Sequence, residues 1–193
     1  PMLYPQIVEL VRRLKQIEEV SVVSMQSNGT LLSRPRISEL EQAGLDRINL
    51  SIHSLQPERA AYLAGSICFD IEKIRQAAED IAKSNIDLLI APVYIPGIND
   101  EDIPDLIRFA RDIGAGKRWP PLGIQKFEHY RLGRTPGKVH SQSWWQFYNR
   151  SMAGWEKQLC LPLRIKPQDF AIERSHMIPI VLELSLIHIS EPT

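Results

Sequence analysis

Among the side chains able to do chemistry, three share one face of one short stretch. In INLSIHS, residues 48–54, Asn49, Ser51 and His53 alternate with Ile48, Leu50 and Ile52. Successive side chains of a strand point to opposite faces, so one face is apolar and the other is a row of hydrogen-bonding groups. A hydroxyl and a neutral imidazole two residues apart can each donate and accept. Such a row can hold a ligand against a rigid strand. His53 could also serve as a general acid or base, but the sequence shows no partner for it. The competing reading is a polar row satisfied by neighbouring strands.

A second cluster is basic. Lys117, Arg118, Lys126, Arg131, Arg134 and Lys138 stand against Glu128 alone, with Trp119, His129 and Tyr130 among them. Cations mixed with aromatic rings suit a phosphodiester backbone and stacked bases. A solvated charged loop has the same composition. Cys68 and Cys160 lack the spacing of a metal-ligand pair and read as a small helix-start residue and a packing residue.

The elements that must position these groups follow from periodicity. Helical spacing marks 6–18, 35–44, 57–64, 69–85, 100–114 and 143–160, the last carrying Trp144, Trp145 and Trp155. Asp70 is placed to cap the helix of 69–85, and Asn99 or Asp100 the next one. Apolar or alternating runs at 20–25, 46–54, 86–95 and 122–130 predict strands. Strand and helix alternate four times with short loops, which implies right-handed crossovers and a parallel sheet. An open doubly wound sheet is apolar on both faces, whereas a barrel can turn a polar row inward, toward the C-terminal strand ends. The expectation is an α/β fold, a partial (β/α)6 TIM-like barrel.

Composition excludes little but sets the frame. The 193 residues are 44% hydrophobic, with 23 basic and 23 acidic side chains, so net charge points to neither nucleic acid nor membrane. No apolar run approaches the roughly 20 residues a bilayer helix needs. Two cysteines fit a reducing, cytoplasmic setting. The last ten residues, LSLIHISEPT, resemble a translated sequencing-library adapter, so 184–193 are read as an artefactual tail. The expected division is a core over 1–140, a C-terminal helix and extension over 141–183, and that tail.

Several motifs then stand in register. The chain opens PMLYP and continues with VSVVSMQSNGT, INLSIHS and LIAPVYIPGIND. In order and spacing these resemble the core of the radical S-adenosylmethionine (radical SAM) enzymes over residues 1 to about 130. Pro1 would end the GGEP motif, Asn28 and Gly29 would be the turn after the third strand, and SIH resembles the ribose-binding S-x-D strand. VYIPGIND resembles the segment that packs on adenine. With GAGKRWPPLGIQKFEHYRLGR, the likeness extends to an archaeal group of iron–sulfur oxidoreductases that carry a small RNA-binding-type TRAM domain.

The resemblance implies SAM and a 4Fe–4S cluster as cofactors, a 5′-deoxyadenosyl radical, and an external electron donor such as ferredoxin or flavodoxin. It implies cofactor contacts from Pro1, Asn28, Gly29, Ser51, His53, Val93, Ile95, Gly97, Gln125 and Phe127. The cluster cysteines, C-x3-C-x2-C, would lie upstream of residue 1, together with the first strands, and this piece alone would be inactive. Arg59 is the nearest basic group to the place where the family meets the methionyl carboxylate. Structured RNA is a candidate substrate, touching Lys117, Arg118, Lys126, Arg131 and Arg134. The alternatives are a non-radical barrel enzyme acting on a phosphorylated metabolite, with His53 or Lys126 catalytic, and a non-catalytic RNA-binding module. The first needs eight strands and a glycine-rich phosphate loop, neither of which the sequence shows.

Overall fold

The computed structural model describes residues 1–129, 139–159 and 177–180. Its first half is a run of strand–helix units: α1 (Ile7–Leu14), β1 (Ser24–Ser27), α2 (Arg34–Gln42), β2 (Arg47–Leu50), α3 (Pro57–Ala64), α4 (Ile71–Lys83) and β3 (Asp87–Ile90). The second half has β4 (Val93–Tyr94), α5 (Asp102–Asp112), β5 (Leu122–Lys126), α6 (Trp144–Gln146), a π-helical segment (Phe147–Met152), α7 (Ala153–Leu159) and β6 (Met177–Ile180).

β1, β2, β3 and β5 are parallel neighbours in that order. Ile90 faces Leu122, Val93 faces Gln125 and Tyr94 faces Lys126. The offset is the same throughout, so β3 and β4 are one strand interrupted at Ala91–Pro92, both lying on the same edge of β5. Proline has no N–H for the ladder. The Pro92 carbonyl still accepts from Gln125 N at 2.8 Å, which keeps the register across the break. On the far edge of β5, β6 pairs antiparallel. No helix among the described residues is long and apolar enough to cross a membrane.

The two faces of the sheet differ. Met25 and Ser27 of β1, and Ile48, Leu50 and Ile52 of β2 and its extension, are buried among Ile74, Ala78 and Ile81 of α4 and their neighbours. Burying one such aliphatic side chain stabilises by roughly 1.5–3 kcal/mol. Gln26 and Asn28 are exposed on the other face, and Asn49, Ser51 and His53 are half-buried there. A doubly wound sheet would cover both faces. One helix-packed face and one polar face make this a segment of a parallel barrel wall, as the alternation predicts.

Three local expectations change. The first strand runs over 24–27 rather than 20–25, because Asp46 Oδ2 takes the Val23 N–H at 2.8 Å and the ladder begins only at Ser24. The helix expected over 143–160 contains the π-helical turn. Trp155 is buried in it against Tyr94 and Phe147, while Trp145 is 74% exposed. Strand β6 has no counterpart in the sequence reading. Asp70 caps α4 as expected, accepting from Glu72 N and Lys73 N.

Candidate functional site

At the C-terminal ends of β1 and β2 the polar face opens into a cleft of about 410 Å³. Asn28, Ser51, His53 and Ser54 line it together with Leu63 and Phe69. Strand register explains the grouping. Gln26 pairs with Asn49 and Leu89, so two residues further on Asn28, Ser51 and Ala91 share a row. His53, Val93 and Gln125 share the next.

Where the ladder between β2 and β4 would continue, side chains replace it. The Val93 N–H donates to His53 Nδ1 at 3.0 Å. Asn99, 0% exposed, donates through Nδ2 to the carbonyls of His53 and Val93, both at 2.9 Å. Its Oδ1 accepts the Ile95 N–H at 2.7 Å. This clamp fixes the two strand ends that border the cleft. Burial pushes the His53 imidazole from 6.5 down to about 4, because the cation loses solvation. The ring is therefore neutral at physiological pH. Ser51 Oγ has no protein partner among the described residues and is not sealed from the cleft. Asn49 Oδ1, one turn of the pleat below, is buried without a partner.

Beside the clamp, Ile95, Phe127 and Val139 form a small apolar cluster against Leu63, Val93 and Ile98. Leu63 belongs to both cluster and cleft, so the two adjoin there, but the expected cofactor residues Val93, Ile95, Gly97, Gln125 and Phe127 do not themselves line the cleft. Gly97 lies in the next turn with φ +78° and space around it. The turn is closed by Asp100, which accepts from the Gly97 N–H and, at 2.7 Å, from Tyr94 Oη. The expected capping of α5 by Asn99 or Asp100 is corrected: the N-cap is Glu101 and makes no side-chain bond. Both other side chains are engaged by the strand ends.

Other expected residues lie elsewhere. Gly29 faces the core; a Cβ there would stand 3.0 Å from Ile74 and Leu50, so the glycine admits α4 to the strand. Asn28 turns its Oδ1 back to Thr30 N and Oγ1, leaving its amide nitrogen for the cleft. Pro1 is exposed and does not line the cleft. Arg59 is bound to the buried Asp102 at 2.8 Å, which also accepts from Ser54 Oγ at 2.9 Å. The Asp102 contact raises the Arg59 pKa. Cys68 is exposed at the cleft rim rather than at a helix start. Cys160 lies outside the described residues.

The basic cluster is not one surface. Lys117 and Arg118 precede β5, at the opposite end of the sheet from the cleft. The Lys117 Nζ donates to the carbonyls of Ser84 and Ile86, and burial lowers its pKa. Arg118 stacks on Trp119 at 4.9 Å. Lys126 faces the outer side with Tyr94 and lies 3.5 Å from Glu128, so neither RNA contact nor catalysis in the cleft reaches it there. Arg131 and Arg134 lie outside the described residues. What organises this end is Asp87, fully buried, which accepts the main-chain N–H groups of Lys117, Arg118 and Trp119 at 3.1, 2.6 and 3.1 Å.

No group of three His, Cys, Asp or Glu side chains among the described residues could hold a metal ion. The set present therefore does not fit an iron–sulfur cluster. It does fit a nucleoside: open hydroxyl, imidazole and amide groups beside the apolar Leu63 and Phe69.

Comparison with known proteins gives the geometry a family. The description "Radical SAM superfamily" matches residues 1–110. A protein of Methanocaldococcus jannaschii is 38% identical over 93% of this chain and 45% of its own length. The GTP 3′,8-cyclase of Aquifex aeolicus is 29% identical over 62% of this chain and 37% of its own. The chain thus spans less than half the length of either relative. A domain of the pyruvate-formate lyase-activating enzyme from Bacteroides vulgatus superposes with a TM-score of 0.61 at 13% identity, covering 83% of this chain and 88% of that one. At that identity the match speaks for the fold, a partial TIM-like barrel.

Proposed function

We propose, from the premise that this chain belongs to the radical SAM superfamily, that its cleft holds the nucleoside part of SAM. Ser51 and His53 meet the ribose hydroxyls, and the Val93, Ile95 and Phe127 flank meets the adenine. The observation that carries the reading is the pair of unpartnered polar groups, Ser51 Oγ and His53 Nε2, open in a cleft at the C-terminal strand ends. A 4Fe–4S cluster, which the described residues would not hold, would supply the electron for reductive cleavage of SAM. This chain's part is orientation. The Asn99 clamp fixes the strand ends, and Leu63 and Phe69 screen the nucleoside from water.

The intact protein is then an enzyme that takes electrons from an external donor in a reducing compartment and acts on a substrate reached through the same mouth. Nothing in the position of Lys117 and Arg118 favours structured RNA over a small molecule, since both are engaged at the opposite end. The test is anaerobic incubation of the intact, cluster-loaded protein with SAM and a strong reductant. 5′-Deoxyadenosine is the expected product. Its absence with a spectroscopically intact cluster removes the proposal.

A further inference from the structure

His53 is held at two points: its carbonyl accepts from Asn99 Nδ2, and its Nδ1 accepts the main-chain N–H of Val93. A ring nitrogen that accepts a hydrogen bond carries no proton, so a neutral ring carries its proton on the other nitrogen. The N–H donor at Nδ1 is main chain and cannot rotate away or invert its polarity, unlike a hydroxyl. Nε2 has no protein partner among the described residues and is not sealed, and the ring lines the cleft.

We propose that His53 is a fixed N–H donor into the cleft and its specificity-determining residue, so that the ligand atom opposite it is an acceptor. The proposal rests on the nucleoside reading above. There the acceptor is a ribose hydroxyl oxygen, whose own proton is free to go to Ser51 Oγ. An acidic residue at the same place would do the reverse and take the hydroxyl proton. Polarity at this position therefore decides which sugars fit. A hydroxyl or ether oxygen is accepted, and a protonated amine, which can only donate, is refused. Burial reinforces the arrangement by disfavouring the imidazolium that would free Nδ1 from Val93.

Two measurements on the full chain test this. Long-range 1H–15N NMR reads which ring nitrogen is protonated, without any ligand. Titration at about pH 6 with adenosine and with 3′-amino-3′-deoxyadenosine, followed at the Asn28 and Ser51 amides, reads the preference. The expected result is a bare Nδ1, a protonated Nε2 and at least a tenfold preference for adenosine. His53→Gln, which keeps a donor near the Nε2 position, retains that preference, and His53→Asp inverts it. A proton on Nδ1, or an unchanged preference in His53→Asp with His53→Gln folded and binding, overturns the proposal. If neither nucleoside shifts the amides while Nε2 is protonated, the nucleoside reading fails and the donor assignment stands.

Discussion

Asn99→Ala is the sharpest perturbation of the strand-end clamp. The side chain is 0% exposed and makes three hydrogen bonds, to the His53 and Val93 carbonyls and from the Ile95 N–H. Among the described residues none of these main-chain groups has another partner there. A buried group left unpaired costs roughly 1–3 kcal/mol, and water entering the vacated space recovers part of that. The net loss is expected to be about 3 kcal/mol, or about 6–12 °C in melting temperature for a chain of this size. Urea denaturation followed by circular dichroism measures it. Asn99→Asp keeps the Ile95 contact but sets a carboxylate against two carbonyl oxygens. It is expected to lose more than Asn99→Ala at neutral pH and to recover in acid, because its folded pKa is raised and protonation restores one donor. A loss below about 0.5 kcal/mol in Asn99→Ala, or an Asn99→Asp that gains nothing in acid, refutes the clamp.

Other outcomes follow from the same structure. The His53 pKa falls from 6.5 to about 4 on folding, so the unfolded chain binds the proton first. Stability drops as pH falls from 6.5 toward 4, by at most about 3 kcal/mol for a half-buried ring; in His53→Gln this part of the pH dependence disappears from denaturation curves. Gly29→Ala, at φ +82° with two side-chain atoms 3.0 Å away, is expected to cost about 2–4 kcal/mol in the same assay. Asp87→Ala leaves the N–H groups of Lys117, Arg118 and Trp119 without their acceptor. It should cost about 2–4 kcal/mol while leaving nucleoside affinity, measured by titration, within about twofold.

Much of this architecture is legible in sequence because it rests on period. The alternation in 48–54 sets which face of β2 is polar, and the residues it singles out, Ser51 and His53, line the cleft. Asp70 is recognisable as a cap because capping is local. What escapes is long-range hydrogen bonding. Asn99 reads as a helix cap from its place after Pro-Gly, yet its partners are 46 residues away at His53, past the end of β2, and six away in β4. Asp87 gave one signal, a lone acid opening an apolar run, but its acceptor role depends on a loop 30 residues later. The basic loop misleads for the opposite reason. Residues adjacent in sequence fall at both ends of β5 and on its outer face, because a strand of five residues lies between them.

In the proposed complex the nucleoside of SAM lies against Ser51 and His53. A crystal structure of the intact protein with SAM tests it directly. Ribose oxygens are expected within about 3.2 Å of Ser51 Oγ and His53 Nε2, with adenine against Val93 and Phe127. Adenosine density elsewhere in the barrel, with His53 Nε2 facing only water, would contradict it.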